Sequence, residues 1–295
     1  MREQTAVDHA ALLTDFVRHQ RYLAKSPQTI RLYRLAADKL LTTYSTVALD
    51  YLTAEHIERH LDSRPVGART KAQELRYLRV FFRWVCEDKR LLKENPAARA
   101  KAPRWTSRRR PAPSFADFEA ICRQCQTLEE SVLIRMYFHT SLRLREVLRL
   151  RVRQVDLASR EIRVITKGDE DRSVFFDPLQ IPAHVALTPL LTAFLADRMP
   201  DAWVFPSPIT LSHRSHEWVN RTMRRLGAQA GLPYRLTAHL LRHGWARWAK
   251  VSGVPLPIAQ KQLGHKDIRT TDRLYGAVDS TDQRKALDEY LRPPS

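Results

Sequence analysis

One stretch constrains this chain more than any other, the segment ENPAARAKAPRWTSRRRPAP at residues 94–113. Pro96, Pro103, Pro111 and Pro113 oppose helix continuation, because proline lacks an amide hydrogen and restricts the residue before it. From Arg99 to Arg110 half of the residues are lysine or arginine, and apolar-rich sequence lies on both sides. A proline-punctuated basic tract in that position is a linker between two cores. A chain of 295 residues is long enough to bury two. The expected division is a helical domain at 1–103, a basic linker at 104–114 and a second domain at 115–295.

The charge balance says what such a linker is for. Fifty Lys+Arg against 32 Asp+Glu leave a formal net charge of +18. That excess favours a polyanionic partner, and nucleic acid is the obvious one. A membrane surface would need a basic amphipathic helix or an anchor, and neither is found. No run approaches about 18 apolar residues, so no span is expected, and MREQTAVDHA does not read as a secretory signal. Cys86, Cys122 and Cys125 are a sparse, odd set that suits a reducing cytoplasm. Cys122 and Cys125 form a C-x-x-C, but no second pair or nearby histidine completes a zinc site, so they read as packing residues.

The first domain reads as helical. Leu12, Leu13, Phe16, Val17 and Leu23 keep helical spacing. Ser26-Pro27 predicts a capped helix through Leu41, and Thr53 opens a short third one. From Thr70 to Leu92 a wide apolar stripe carries Arg76, Arg79 and Arg83 between its core positions. Those arginines, with Lys101, Arg104, Arg108, Arg109 and Arg110 of the linker, are the candidate DNA contacts. The second domain is mixed. Helices are expected at 114–126, 129–139, 188–198, 214–230, from Thr237 through HLLRHGWARWAK, and at 256–263, 269–276 and 281–291. REIRVIT and RSVFF alternate as a hairpin around Gly168. The fold class is mainly α with a small antiparallel sheet.

Breaking a phosphodiester without a metal needs a nucleophile, cations for the non-bridging oxygens and an acid for the departing oxygen. Arginine suits the clamp because its planar fork bonds oxyanions in pairs and stays charged. The second domain offers such a set. Arg143 lies in HTSLRLREVLRL, Lys167 precedes Gly168, and His239 and Arg242 form H-x-x-R within one helical turn. His265 follows Leu263-Gly264, and Tyr275 comes ten residues later. Singly, each has an ordinary structural explanation; their weight lies in occurring together, in one order, within one domain.

This pattern resembles the tyrosine recombinase (phage integrase) family, in the size range of its compact Xer-type members. The resemblance is carried by Thr140-Ser141-Leu142-Arg143 with Glu146, Thr166-Lys167-Gly168, His239-Leu240-Leu241-Arg242-His243 and Leu263-Gly264-His265. ENPA before the basic tract also matches the usual end of the family's SAM-like core-binding domain. The resemblance implies a two-domain, C-shaped clamp on double-stranded DNA, working as a homo-tetramer on paired sites in the cytoplasm, without metal or cofactor. Tyr275 would attack phosphorus to give a 3′-phosphotyrosyl ester, and strands would exchange through a Holliday junction. Arg143 and Arg242 would clamp the phosphate, Lys167 would protonate the 5′ oxygen, His239 would help deprotonate Tyr275, His265 would bond the phosphate, and Glu146 would orient Arg143.

Three positions depart from the family pattern. Ser141 stands where glycine is usual, Leu240 where aspartate is common, and Leu274 at the nine-residue spacing that tyrosine often takes. Tyr290 is the other tyrosine near the end of the chain and reads as packing. A type IB topoisomerase would use the same clamp and tyrosine without paired sites, and a non-cutting DNA-binding protein of the same fold would use neither. A zincin reading of His239 and His243 fails because Leu240 stands where the motif needs glutamate.

Overall fold

The computed structural model describes residues 8–106, 111–164, 171–178 and 181–264. The chain forms two compact units, Met1–Arg108 and Arg109–Ser295.

The first unit is helical: α1 His9–Tyr22, α2 Pro27–Thr43, α3 Ala54–Ser63, α4 Ala68–Glu87 and the single turn α5 Pro96–Arg99. The starts are set locally. Ser26 accepts from the Thr29 amide with Pro27 in the first turn, and Thr53 accepts from the His56 amide. The core centres on Phe16, whose ring meets Phe81 edge-on at 5.1 Å and Trp84 at 5.2 Å. Burying side chains of this kind contributes roughly 1.5–3 kcal/mol each. The sequence predicts α4 through Leu92, but the helix ends at Glu87. The chain reverses at Arg90, where φ is +53°, and the Leu91 amide bonds back to the Val85 carbonyl. α5 was not expected among so many prolines. Asn95 caps it through the Ala97 and Ala98 amides, and Pro96 sits in the first turn, where its missing N–H costs nothing.

The second unit contains α6 Phe115–Arg123, α7 Leu128–Thr140, α8 Leu144–Leu148, the strands β1 Val155–Asp156, β2 Glu161–Val164 and β3 Arg172–Phe175, and then α9 Thr188–Leu195, α10 His216–Gln229, α11 Ala238–Val251 and α12 Leu256–Leu263. The strands form one antiparallel sheet in the order β1-β2-β3, with Ile162 opposite Val174. The two strands expected on either side of Gly168 pair antiparallel, Gly168 itself lying outside the described residues, and β1 adds a two-residue third strand that the sequence did not announce. The fold is mainly helical with a small antiparallel sheet, as the sequence predicts. α7 is the buried spine: Val132 through Thr140 are all buried, and Phe138 stacks on Phe118 at 3.8 Å. Cys122 and Cys125 pack against this core. Among the described residues no helix is long and apolar enough to cross a membrane.

Candidate active site

The last turn of α12 is where distant segments meet. A helix end leaves carbonyls without partners inside the helix and carries the negative end of its dipole. Three guanidiniums take those carbonyls. Arg172 donates to the Gln262 carbonyl at 3.1 Å, Arg242 donates to the Leu263 carbonyl, and Arg143 donates to the Gly264 carbonyl at 2.6 Å. They come from the start of β3, the middle of α11 and the residue before α8. Gly264 ends α12 in the left-handed region, φ +60°, and a Cβ there would stand 2.5 Å from Cζ of Arg172. Only glycine fits both the backbone and the arginine beside it.

Glu146 supplies the carboxylate. Its Oε2 accepts from the Arg143 amide at 2.6 Å and from Arg172 Nη2 at 3.0 Å, and its Oε1 accepts from Arg143 Nη1 at 2.9 Å. Burial works to raise its pKa, but the Arg143 amide and the Arg172 and Arg143 guanidiniums hold it below the ordinary carboxylate value. The contact between Glu146 and Arg143 that the sequence suggests is therefore present, and Arg172 shares it.

Arg242 is 2% exposed and also donates to the Ser141 carbonyl. Burial and the neighbouring Arg143, with a smaller push from Arg172, lower its pKa to about 9, while Glu146 opposes the shift. It stays cationic at neutral pH. Three guanidiniums against one carboxylate leave an excess of two positive charges at the end of α12. That is a preorganised place for an oxyanion.

Gln262 locks the floor of the site. Its side-chain amide donates to the Phe175 carbonyl at 2.6 Å and accepts from the Phe175 amide at 3.1 Å, so it pairs with β3 as a strand would. The same nitrogen reaches the His139 and Thr140 carbonyls at 3.3 and 3.4 Å. Ser141 follows α7 with φ +55°, the conformation that makes glycine usual there.

Of the residues singled out in the sequence, Arg143 and Arg242 are brought together on neighbouring carbonyls. His239 is exposed in the first turn of α11, edge-on to His243 with ring centroids 4.4 Å apart. Lys167, His265, Tyr275, Arg108, Arg109 and Arg110 lie outside the described residues. In the first unit Arg76 and Arg83 are exposed two turns apart on α4, and Lys101 and Arg104 are exposed beyond α5. Arg79 differs: its Nε and Nη2 donate to the Ala97 and Ala100 carbonyls at 3.0 and 2.9 Å, holding α5 against α4. Sequence reasoning missed Arg172 and Gln262. The only signals were an arginine opening a strand just after Lys167-Gly168 and a glutamine two residues before Gly264.

Known proteins share this fold. A solved structure of XerH site-specific recombinase bound to palindromic difH substrate superposes with a TM-score of 0.76 at 18% identity, over 97% of this chain and 86% of that one. The fold is thus that of the site-specific recombinases. The tyrosine recombinase XerA of Saccharolobus solfataricus is 28% identical over 287 residues, 88% of each chain. The tyrosine recombinase XerC of Vibrio vulnificus is 30% identical over 219 residues, 72% of this chain and 67% of that one. Residues 115–282 match the phage integrase family. The chain belongs to that family and is a tyrosine recombinase of the compact Xer type.

Proposed function

We propose that the protein is a site-specific recombinase that cuts and rejoins double-stranded DNA through a 3′-phosphotyrosyl intermediate on Tyr275. The observation that carries this reading is the convergence of Arg143, Arg172 and Arg242 on the end of α12 around the single carboxylate of Glu146. A phosphodiester carries one negative charge, and a second develops as a nucleophile adds to phosphorus. Two excess positive charges match the state with more charge better than the ground state, which is the condition for acceleration.

In this mechanism Arg143 and Arg242 hold the non-bridging oxygens while Tyr275 attacks, with His239 drawing off its proton and His265 bonding the phosphate. Lys167 protonates the departing 5′ oxygen. The phosphotyrosyl ester conserves the bond energy, so a 5′ hydroxyl can reverse it without ATP or a metal. Arg76, Arg83, Lys101, Arg104 and the Arg108–Arg110 run contact phosphates, with the domains divided at the 104–114 linker. A homo-tetramer on paired sites in the cytoplasm exchanges strands through a Holliday junction. The XerH and Xer-type relatives support this reading by name and fold.

The test is incubation of the protein with a nicked duplex, with a synthetic Holliday junction and with a supercoiled plasmid in excess chelator. A covalent protein–DNA adduct and junction resolution are expected. Binding without an adduct points to a non-cutting protein, and adducts that relax supercoils without joining paired sites point to a topoisomerase.

A further inference from the structure

We propose that Arg172 is a positioning residue for strand cleavage, acting on Arg143 through Glu146 and the end of α12. The inference rests on the cleavage reading above. Arg172 opens β3 and reaches two other elements with different nitrogens. Nη2 donates to Glu146 Oε2 on α8 at 3.0 Å, and Nη1 donates to the Gln262 carbonyl on α12 at 3.1 Å. Glu146 then fixes both the amide and the guanidinium of Arg143, and Arg143 returns to α12 at the Gly264 carbonyl. The contacts close a ring: Arg172, Glu146, Arg143, the Gly264 carbonyl, the Gln262 carbonyl and Arg172 again.

A ring of two planar forks and one carboxylate has few arrangements that satisfy every donor and acceptor. The Arg172–Glu146 pair within it is shielded, with the Arg172 side chain 19% exposed and that of Glu146 9%, while the Arg143 side chain is about half exposed. Shielded charge-assisted bonds hold geometry better than a surface ion pair does. The absent side chain of Gly264 leaves the space that the Arg172 guanidinium occupies. Gln262 bonds both backbone groups of Phe175, so the strand that carries Arg172 is itself pinned to α12. In sequence, Arg172 follows Lys167 by five residues and Gly264 directly precedes His265. The ring thus fixes chain on the C-terminal side of the proposed acid and on the N-terminal side of the proposed phosphate-binding histidine.

Lysine cannot replace this arginine, since a point charge on a flexible stem serves Glu146 or the Gln262 carbonyl but not both in fixed planes. Misplacing a clamp residue by about 1 Å costs on the order of 10²-fold in rate. The loss belongs to the bound complex and leaves DNA affinity largely intact.

The experiment measures single-turnover cleavage of a nicked duplex at saturating protein, with Kd on the same duplex. It compares wild type, Arg172→Ala, Arg172→Lys, Glu146→Gln and the Arg172→Ala/Glu146→Gln double variant. Arg172→Ala is expected to cleave on the order of 10- to 100-fold more slowly, with Kd within about twofold of wild type. Arg172→Lys recovers little of that rate. The double variant is no slower than the slower single, because both act through one network. Wild-type cleavage by Arg172→Ala overturns the proposal, as do losses that multiply in the double variant or a rise in Kd equal to the loss of rate. Should Arg172→Ala not fold, Arg172→Lys carries the comparison, and a rate within about twofold of wild type overturns the proposal. Absence of cleavage by the wild type would count against the proposed function instead.

Discussion

The guanidinium of Arg143 donates to the carbonyl of Gly264, 121 residues further along the chain, at 2.6 Å. This bond joins the start of α8 to the residue that leads into His265. It depends on Gly264 taking a positive φ and leaving room for Arg172. Gly264→Ala is therefore expected to destabilise the second unit by roughly 1–3 kcal/mol. Its cleavage is expected to fall further than the folded fraction does. Thermal unfolding and single-turnover cleavage on one preparation check this. Unchanged cleavage in the folded variant would mean that the helix end does not set the clamp.

Ser141 gives a prediction of the opposite sign. It holds φ +55°, and its buried Oγ has no hydrogen-bond partner among the described residues. Ser141→Gly removes the left-handed strain and the unpaired hydroxyl, and keeps the carbonyl that Arg242 bonds. Against this stands the extra chain entropy of glycine, so the expected net gain is about 0.5–1 kcal/mol. A unit of this size should melt about 2–4 °C higher per kcal/mol. A lower melting temperature would show that the hydroxyl has a partner that offsets the strain.

Arg143 and Arg242 should respond differently to the same substitution. Arg143→Lys and Arg242→Lys both keep the charge and lose the fork, and cleavage should fall on the order of 10²-fold or more in each, with DNA binding nearly normal. Arg242 is also buried on the Ser141 and Leu263 carbonyls, while the Arg143 side chain is about half exposed. Arg242→Lys should therefore also cost roughly 1–3 kcal/mol of stability, the scale for a buried group left unpaired. Calorimetry beside cleavage assays separates the two effects. Equal losses of binding and cleavage would recast both residues as docking groups.

Much of this was legible in the sequence, and the boundary is physical. Ser26, Thr53 and Thr237 marked helix starts because a cap is a bond between residues a few positions apart. Arg143 and Arg242, which the structure brings together, stood out because each lies in a short motif whose spacing is fixed by one helix or turn. Arg172 was not, since its partners Glu146 and Gln262 lie 26 and 90 residues away. β1 and α5 were too short to show a period. Arg79 alternates with core positions on α4 like Arg76 and Arg83, and nothing local announces that it turns to the Ala97 and Ala100 carbonyls.

That difference among the arginines is testable by salt dependence. Removing one cation from a DNA phosphate flattens the log–log slope of affinity against salt by about 0.9. Changing Arg108, Arg109 and Arg110 to Ala should flatten it by roughly two to three units. Arg79→Ala should leave the slope nearly unchanged and lower the melting temperature of the first unit, because it frees the carbonyls that hold α5. A flattened slope in Arg79→Ala at normal stability would make Arg79 a phosphate-binding residue after all.

In the proposed mechanism Tyr275 attacks phosphorus in a site whose charge comes from arginine. The most direct measurement traps the covalent complex on a nicked duplex in excess chelator and maps the modified peptide by mass spectrometry. The adduct should fall on Tyr275, and Tyr275→Phe should bind the duplex normally and form none, while Tyr290→Phe still forms it. An adduct that persists in Tyr275→Phe and is lost in Tyr290→Phe would contradict the assignment, and an adduct abolished by chelator and restored by zinc or magnesium would contradict the mechanism.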